Sequence, residues 1–361
     1  METATTRGTP LRKRKFSRRV ILKAAALATV YAAPATAAAP PPAATDSALI
    51  DAARREGKLA FYSAFDINLS EKLAKAFEAA YPGIAVRVER SGAERIFQRI
   101  GQEQTSRIHA VDVACSTDAS HFVAWKRSGW LAPYVPEDVA RHFAADAADA
   151  DGMYATVCAS LSVIGYNPNL VKPEDAPKGF ADLLDPKWRG KLVKGHPAYS
   201  GTILTATFAM VQALGWSYFE KLAQQKVMQV QSAGDPPKKL ALGERAAQVD
   251  GADAVGLLLK EQGQPVEFVH ASEGSPLIVS PGGVFRSAPN PNAARLFQSF
   301  LCSPEGQRVF VDNHRHPSHA LVKAKPGKTP LSAIKLMKSD PAAVDAQGEQ
   351  IKARYTKLFG V

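Results

Sequence analysis

Lys58-Leu59-Ala60-Phe61-Tyr62-Ser63, an apolar run at Leu69, Leu73, Ala76, Phe77 and Ala80, and Ile84-Ala85-Val86-Arg87-Val88 together decide the fold. The first run is short, apolar and closed by a polar turn, which reads as a buried strand. The second recurs every three to four residues and reads as an amphipathic helix, stopped at Tyr81-Pro82-Gly83. The third alternates and reads as a second strand. Ser91 with Glu94 has the spacing of a capping box for the next helix. Val111-Asp112-Val113-Ala114-Cys115 then reads as a third strand, followed by a Ser116-Thr117-Asp118 turn and a helix through Trp125. Strand and helix alternate three times, which predicts an α/β fold around a parallel sheet. Ligands of such sheets sit beyond the carboxyl ends of the strands. Ser63 to Asp66, Ser91-Gly92 and Ser116 to Asp118 fall at those ends.

Working outward, Asp138–Gly152 is rich in Ala and Asp and reads as surface. Tyr154–Gly165 is a β-like run long enough to cross between two lobes. Pro197-Ala198-Tyr199-Ser200-Gly201-Thr202 leads into an apolar helix at 203–214. Free amides and two hydroxyls at such a helix start suit an anion, and a plain N-cap uses the same residues.

The chain has 361 residues and a net charge of +11, with 46% apolar and 22% charged residues. That length suits two domains, and that composition excludes wholesale disorder. Residues 1–37 hold eight Lys and Arg against Glu2 alone, so +7 of the charge belongs to them and +4 to the rest. The basicity therefore carries no nucleic-acid signature. A basic stretch, an apolar Val20–Val30 and a small-residue Ala35-Thr36-Ala37 follow the order of an export signal removed at residue 37. Ser17-Arg18-Arg19-Val20-Ile21-Leu22-Lys23 resembles the twin-arginine signal, and a Sec signal with a chance Arg pair is the alternative. Residues 38–45 read as an Ala/Pro linker. Cys115, Cys158 and Cys302 form no Cys-x-x-Cys pair, so no thiolate zinc site is expected, and they read as buried thiols. His314, His316 and His319 sit beside Pro317 and read as solvated loop histidines rather than a metal set.

Asn292-Ala293-Ala294-Arg295-Leu296-Phe297 with Phe300-Leu301-Cys302-Ser303-Pro304-Glu305-Gly306-Gln307 resembles a helix pair of the bacterial extracellular solute-binding proteins. The group concerned takes ferric ion, phosphonates, thiamine or polyamines and serves ABC importers. Gly165-Tyr166-Asn167 with Phe180-Ala181-Asp182-Leu183-Leu184-Asp185-Pro186-Lys187-Trp188-Arg189-Gly190-Lys191-Leu192 resembles a second segment. Ala110–Val113 with Gly129-Trp130-Leu131-Ala132-Pro133-Tyr134 completes the set, in the family's order over roughly 55–320. The resemblance implies a two-lobed, type 2 periplasmic-binding fold that closes on its ligand by hinge bending. It places lobe 1 at 46–158 and 271–320, and lobe 2 at 159–270 and 321–361. Tyr154–Gly165 and Pro265–His270 become the crossovers. It also implies a periplasmic monomer that hands its solute to a permease, with no cofactor and no catalytic residue.

By the same resemblance the ligand is held by Ser63, Asp66, Ser116, Thr117, Tyr199, Ser200, Gly201, Thr202, Asp250 and Gly251. Ferric binders of the group use a tyrosine pair with a His and a Glu. Here those positions fall near Ala252-Asp253-Ala254, Asp66 and Thr117, so direct tyrosinate binding of iron is not expected. The hydroxyls favour an organophosphate or phosphonate, while Asp66, Asp118, Asp250 and Asp253 suit a polyamine-like cation. The rival classes are an exported hydrolase or oxidoreductase and a receptor-coupled binding module. Gly-x-Ser-x-Gly, His-Glu-x-x-His, P-loop and Gly-x-Gly-x-x-Gly patterns are absent after residue 37.

Overall fold

The computed structural model describes Glu2, Thr3 and residues 38–361. The twin-arginine stretch and its cleavage site lie outside the described residues. From α1 (Ser47–Glu56), capped by the Asp46 carboxylate, the chain runs through β1 (Lys58–Ser63), α2 (Ile67–Ala80) and β2 (Ala85–Arg90). Next come α3 (Ala93–Thr105), β3 (Val113–Cys115), α4 (Ser120–Arg127), α5 (Glu137–His142), β4 (Ala155–Leu161) and β5 (Ile164–Tyr166). The middle holds β6 (Leu192–Gly195), α6 (Gly201–Leu214), α7 (Trp216–Gln224), β7 (Met228–Val230) and α8 (Asp235–Ala241). It continues with β8 (Ala247–Gln248), α9 (Asp253–Glu261) and β9 (Glu267–Val269). The last third is β10 (Ser275–Val284), α10 (Pro291–Cys302), α11 (Pro304–Asp312), β11 (His316–Pro317), β12 (Leu336–Met337) and α12 (Pro341–Phe359).

Two sheets organise two lobes. The larger has the order β11-β4-β10-β3-β1-β2, with β12 also on β10; the smaller is β7-β6-β8-β5-β9. Strands β2, β1 and β3 are parallel, as the β-α-β-α-β reading requires. Strand β10 joins them antiparallel to β3, and β4 pairs antiparallel to β10, so β4 runs in the direction of β1 to β3. Five of the six β1 side chains are buried, which explains a continuous apolar run instead of an alternating one. Phe61 and Phe77 meet Phe297 of α10 with ring centroids 4.9 and 5.0 Å apart. Burying each ring contributes roughly 1.5–3 kcal/mol.

The Ser-Pro-Glu-Gly-Gln motif holds the fold together. Ser303 caps α11 by accepting from the Gly306 amide, and Gln307 donates to the carbonyls of Val157 at 2.7 Å and Leu301 at 2.8 Å. Its Oε1 accepts from the Ser318 amide at 2.8 Å, so one buried amide ties α11 to β4 and to the loop after β11.

The crossing between lobes falls at Ser162-Val163. The Ser162 amide donates to Pro276 beside the large sheet, and the Val163 amide donates to Gly251 beside the small one. The long β run is thus two strands in different sheets, β4 ending at Leu161 and β5 starting at Ile164.

Three expectations need correction. Residues 38–45 are not a free tether at their C-terminal end: the Ala43 amide donates to Val135 and its carbonyl accepts from Glu137. Ser91 does not cap α3. Gly92 holds that position, and the Glu94 carboxylate is drawn away to Lys352 at 2.9 Å. The tail does not pack on lobe 2 alone. Val344 and Ile351 of α12 pack with Leu204 and Phe208 of α6, while Asp345 and Lys352 reach Arg127 and Glu94 of lobe 1. Only the packed lobes show what the charges of α12 meet.

Burial opposes the charge on Glu94, but His121 at 3.9 Å and the Lys352 hydrogen bond at 2.9 Å outweigh it and hold the carboxyl down at about 2. Its contribution is therefore complete above the ordinary value near 4.5 and is lost as pH falls toward 2. Hydrogen exchange across 341–359 is expected to accelerate over that window. Glu94→Gln should exchange faster already at pH 7; equal protection of both proteins at pH 7 would show that the pair does not hold the tail.

Candidate functional site

Both lobes turn helix starts toward one cleft of about 340 Å³. In lobe 1 the β1–α2 turn brings Asp66, whose carboxylate caps α2 by accepting from Leu69 at 2.9 Å. The β2–α3 turn brings Gly92 and Ala93, and α3 starts without a side-chain cap. In lobe 2 the β6–α6 turn brings Tyr199, Ser200 and Thr202, and Ser200 Oγ accepts from the Ile203 amide. Partial positive charge at these starts favours an anion between the lobes.

Of the ten residues expected to bind, Asp66, Thr117, Tyr199, Ser200 and Thr202 line this cleft. Ser63 is fully buried beneath it, bonded to Ser70 Oγ at 2.8 Å and to the Phe65 amide. Ser116 is buried too, with Oγ 3.0 Å from His121 Nδ1. Gly201 meets the other lobe: a Cβ there would lie 2.5 Å from Asp118 Cβ and 3.1 Å from Ala93 Cβ. Gly251 sits under the Gln248 amide and accepts from Val163 at the crossing.

Asp250 is withdrawn from any cationic solute. It is fully buried 2.7 Å from Lys194 Nζ, which also donates to Thr207 Oγ1 at 3.1 Å. Burial raises the Asp250 carboxyl and lowers the Lys194 amine against their mutual attraction. Asp253 is likewise engaged, with the Leu161 amide at 3.0 Å and Lys328 at 2.9 Å.

The histidines near 316 are buried, not solvated, with His314, His316 and His319 exposed by 7%, 3% and 1%. They do not converge. His314 meets Glu261 at 3.0 Å, while His319 faces Asp138 at 3.5 Å. Nδ1 of His319 accepts from the Leu321 amide at 3.2 Å, and its Nε2 lies with Asp138 and His142 rather than with His314 or His316.

Three cations missed in the sequence line the cleft: Arg90, Lys238 and Arg315. Arg90 ends β2, and its Nε donates to the Phe65 carbonyl at 2.9 Å. Continuing the Ile84, Val86, Val88 alternation to the strand's carboxyl end would have found it. Arg315 follows His314, which adopts φ of 57°, a left-handed conformation that costs a non-glycine residue energy. The Arg315 guanidinium lies over the Phe65 ring at 5.7 Å and donates to Ser160 Oγ at 3.0 Å. One of its terminal nitrogens is 3.9 Å from Asp66, and its Nε is buried without a partner.

The profile of the family described as "Bacterial extracellular solute-binding protein" matches residues 67–315, more than two thirds of the chain. The chain belongs to that family. This solute-binding protein is 22% identical to "Iron uptake protein A1" of Synechocystis sp., covering 96% of this chain and 98% of that one. It is also 22% identical to "Probable ABC transporter periplasmic-binding protein y4fP" of Sinorhizobium fredii, covering 77% and 76%. The periplasmic binding protein AfuA of Actinobacillus pleuropneumoniae, solved with fructose-6-phosphate bound, shares its fold with a TM-score of 0.77. That match has 23% identity over 85% of this chain and 99% of AfuA.

Proposed function

We propose that this protein is the periplasmic binding subunit of an ABC importer, acting as a monomer, and that its solute is an anion, foremost an organophosphate or phosphonate. The observation that carries the ligand class is the charge balance of the cleft. Arg90, Lys238 and Arg315 stand against one lining carboxylate, Asp66, beside the starts of α3 and α6. A phosphoryl group accepts several charge-assisted hydrogen bonds at once, and guanidinium groups supply paired donors for it. Asp66 is near enough to Arg315 to orient it without cancelling Arg90 and Lys238. A polyamine would bring further positive charge among three cations, with Asp250 and Asp253 already taken.

Ferric ion is the competing solute, because several relatives are named for iron uptake or ferric binding. Ferric ion held directly needs anionic oxygen ligands, and Tyr199 is the single tyrosine among the cleft residues described. The permease partner and the periplasmic location rest on the family and on the relative named as an ABC transporter binding protein.

Calorimetry tests the ligand class. Phosphate esters are expected to bind and ferric citrate not to bind. Arg315→Ala should weaken the ester by about ten- to a hundredfold, since a charge-assisted hydrogen bond is worth roughly 1.5–3 kcal/mol. Tight ferric binding without ester binding, or an Arg315→Ala variant with unchanged affinity, would refute the reading.

A further inference from the structure

The two walls of the cleft differ in kind. Asp66, Arg90 and Arg315 gather on the lobe 1 side, whereas α9 of lobe 2 turns Val255 and Leu258 toward the space, with Ala252 one turn before. The positions are three apart and so share one helix face. Val255 and Leu258 are only partly buried, and Val255 rests on Ile203, Ala233 and Ala252. At the mouth, Ile67 is 45% exposed and the Tyr199 ring 51% exposed. Both also line the cleft. Lys238 of α8 and the start of α6 keep part of the lobe 2 side polar, and the apolar stripe of α9 beside them fits a solute with an apolar body next to its anionic head.

We infer that the solute is an anion carrying a ring-sized apolar body, the head on Arg90 and Arg315 and the body against Val255, Leu258 and Tyr199. The inference rests on the anion reading above and narrows it. A polyol phosphate is disfavoured on this wall. Each buried hydroxyl needs a partner, and the α9 stripe of Ala252, Val255, Leu258 and Leu259 carries none, so the polar groups of lobe 2 must come from Ser200, Thr202, Ser232, Lys238 and Gln262. A flat or aliphatic ring makes no such demand and removes apolar surface on both partners from water.

The probes are phenyl phosphate, cyclohexyl phosphate, fructose 6-phosphate and inorganic phosphate, each measured by calorimetry on the full mature protein. At least one ring phosphate is expected to bind tenfold or more tighter than fructose 6-phosphate. Leu258→Asn is expected to cut that advantage to threefold or less, with its unfolding midpoint confirming an intact fold. A phenyl advantage over cyclohexyl that Tyr199→Ala removes would assign the difference to ring stacking. Fructose 6-phosphate binding as tightly as both ring phosphates overturns the apolar body and leaves the anion reading standing. Absence of binding by all four probes overturns both.

Discussion

Asp250→Ala is expected to destabilise lobe 2 by about 3–5 kcal/mol, the cost of leaving a buried charge without its partner. The pair is fully buried, with Lys194 Nζ 2.7 Å from the carboxylate and 5.3 Å from the centroid of the Tyr355 ring. Lys194 also holds Thr207 on α6, so the pair fixes β6, the turn after β8 and α6 relative to one another. Tyr355 belongs to α12, which makes the tail helix part of the lid over this charge. Asp250 is therefore a residue of the core rather than of the ligand shell. The double variant Lys194→Met/Asp250→Leu should recover most of the lost stability, since apolar side chains of similar volume in place of a buried pair are often neutral or better. Urea unfolding of wild type and the two variants is the measurement. If Asp250→Ala loses less than 1 kcal/mol, the pair is not charged in the folded protein or not sealed from water.

Gly201→Val is expected to weaken solute binding by a hundredfold or more while costing little stability. A Cβ at that position would stand 2.5 Å from Asp118 Cβ, inside any ordinary contact distance, and the neighbour belongs to the other lobe. Asp118 is itself fixed, its Oδ1 accepting from the Ser120 amide at 2.9 Å and the Ser120 hydroxyl at 2.6 Å. The strain is relieved by parting the lobes, so the penalty falls on the closed state. A closed state disfavoured by about 3 kcal/mol lowers apparent affinity by roughly two powers of ten. Small-angle scattering should report a larger radius of gyration that added ligand fails to reduce. A variant that binds as tightly as wild type would show that capture does not require the approach of α6 to Asp118.

Much of the fold could be read from spacing. The β1–α2–β2 run was legible because local periodicity and tertiary burial agree there, with Leu69, Leu73 and Phe77 buried on the predicted face. The stretch 154–165 was legible as β structure, but its division between two sheets was not. A change of hydrogen-bond partner from one sheet to the other at Ser162 and Val163 leaves no mark on hydrophobicity. Motif resemblance reached the family, and the profile match over 67–315 agrees with it.

The site was legible where it depends on chain ends of strands and helices. Asp66, Thr117, Ser200 and Thr202 line the cleft because strand ends and helix starts face it in any sheet of this winding. What the sequence could not tell is which polar groups had already found each other. Asp250 and Lys194 are 56 positions apart, and Arg315 reaches Ser160 across 155. A side chain's availability is settled by the partner that long-range packing brings to it, and burial then makes that partnership costly to break. Sequence by itself determined the alternation from β1 to α4, the turn that starts α6 and the resemblance to the family. Only the tertiary structure decided that two aspartates are spent inside the protein and that three cations are left facing the cleft.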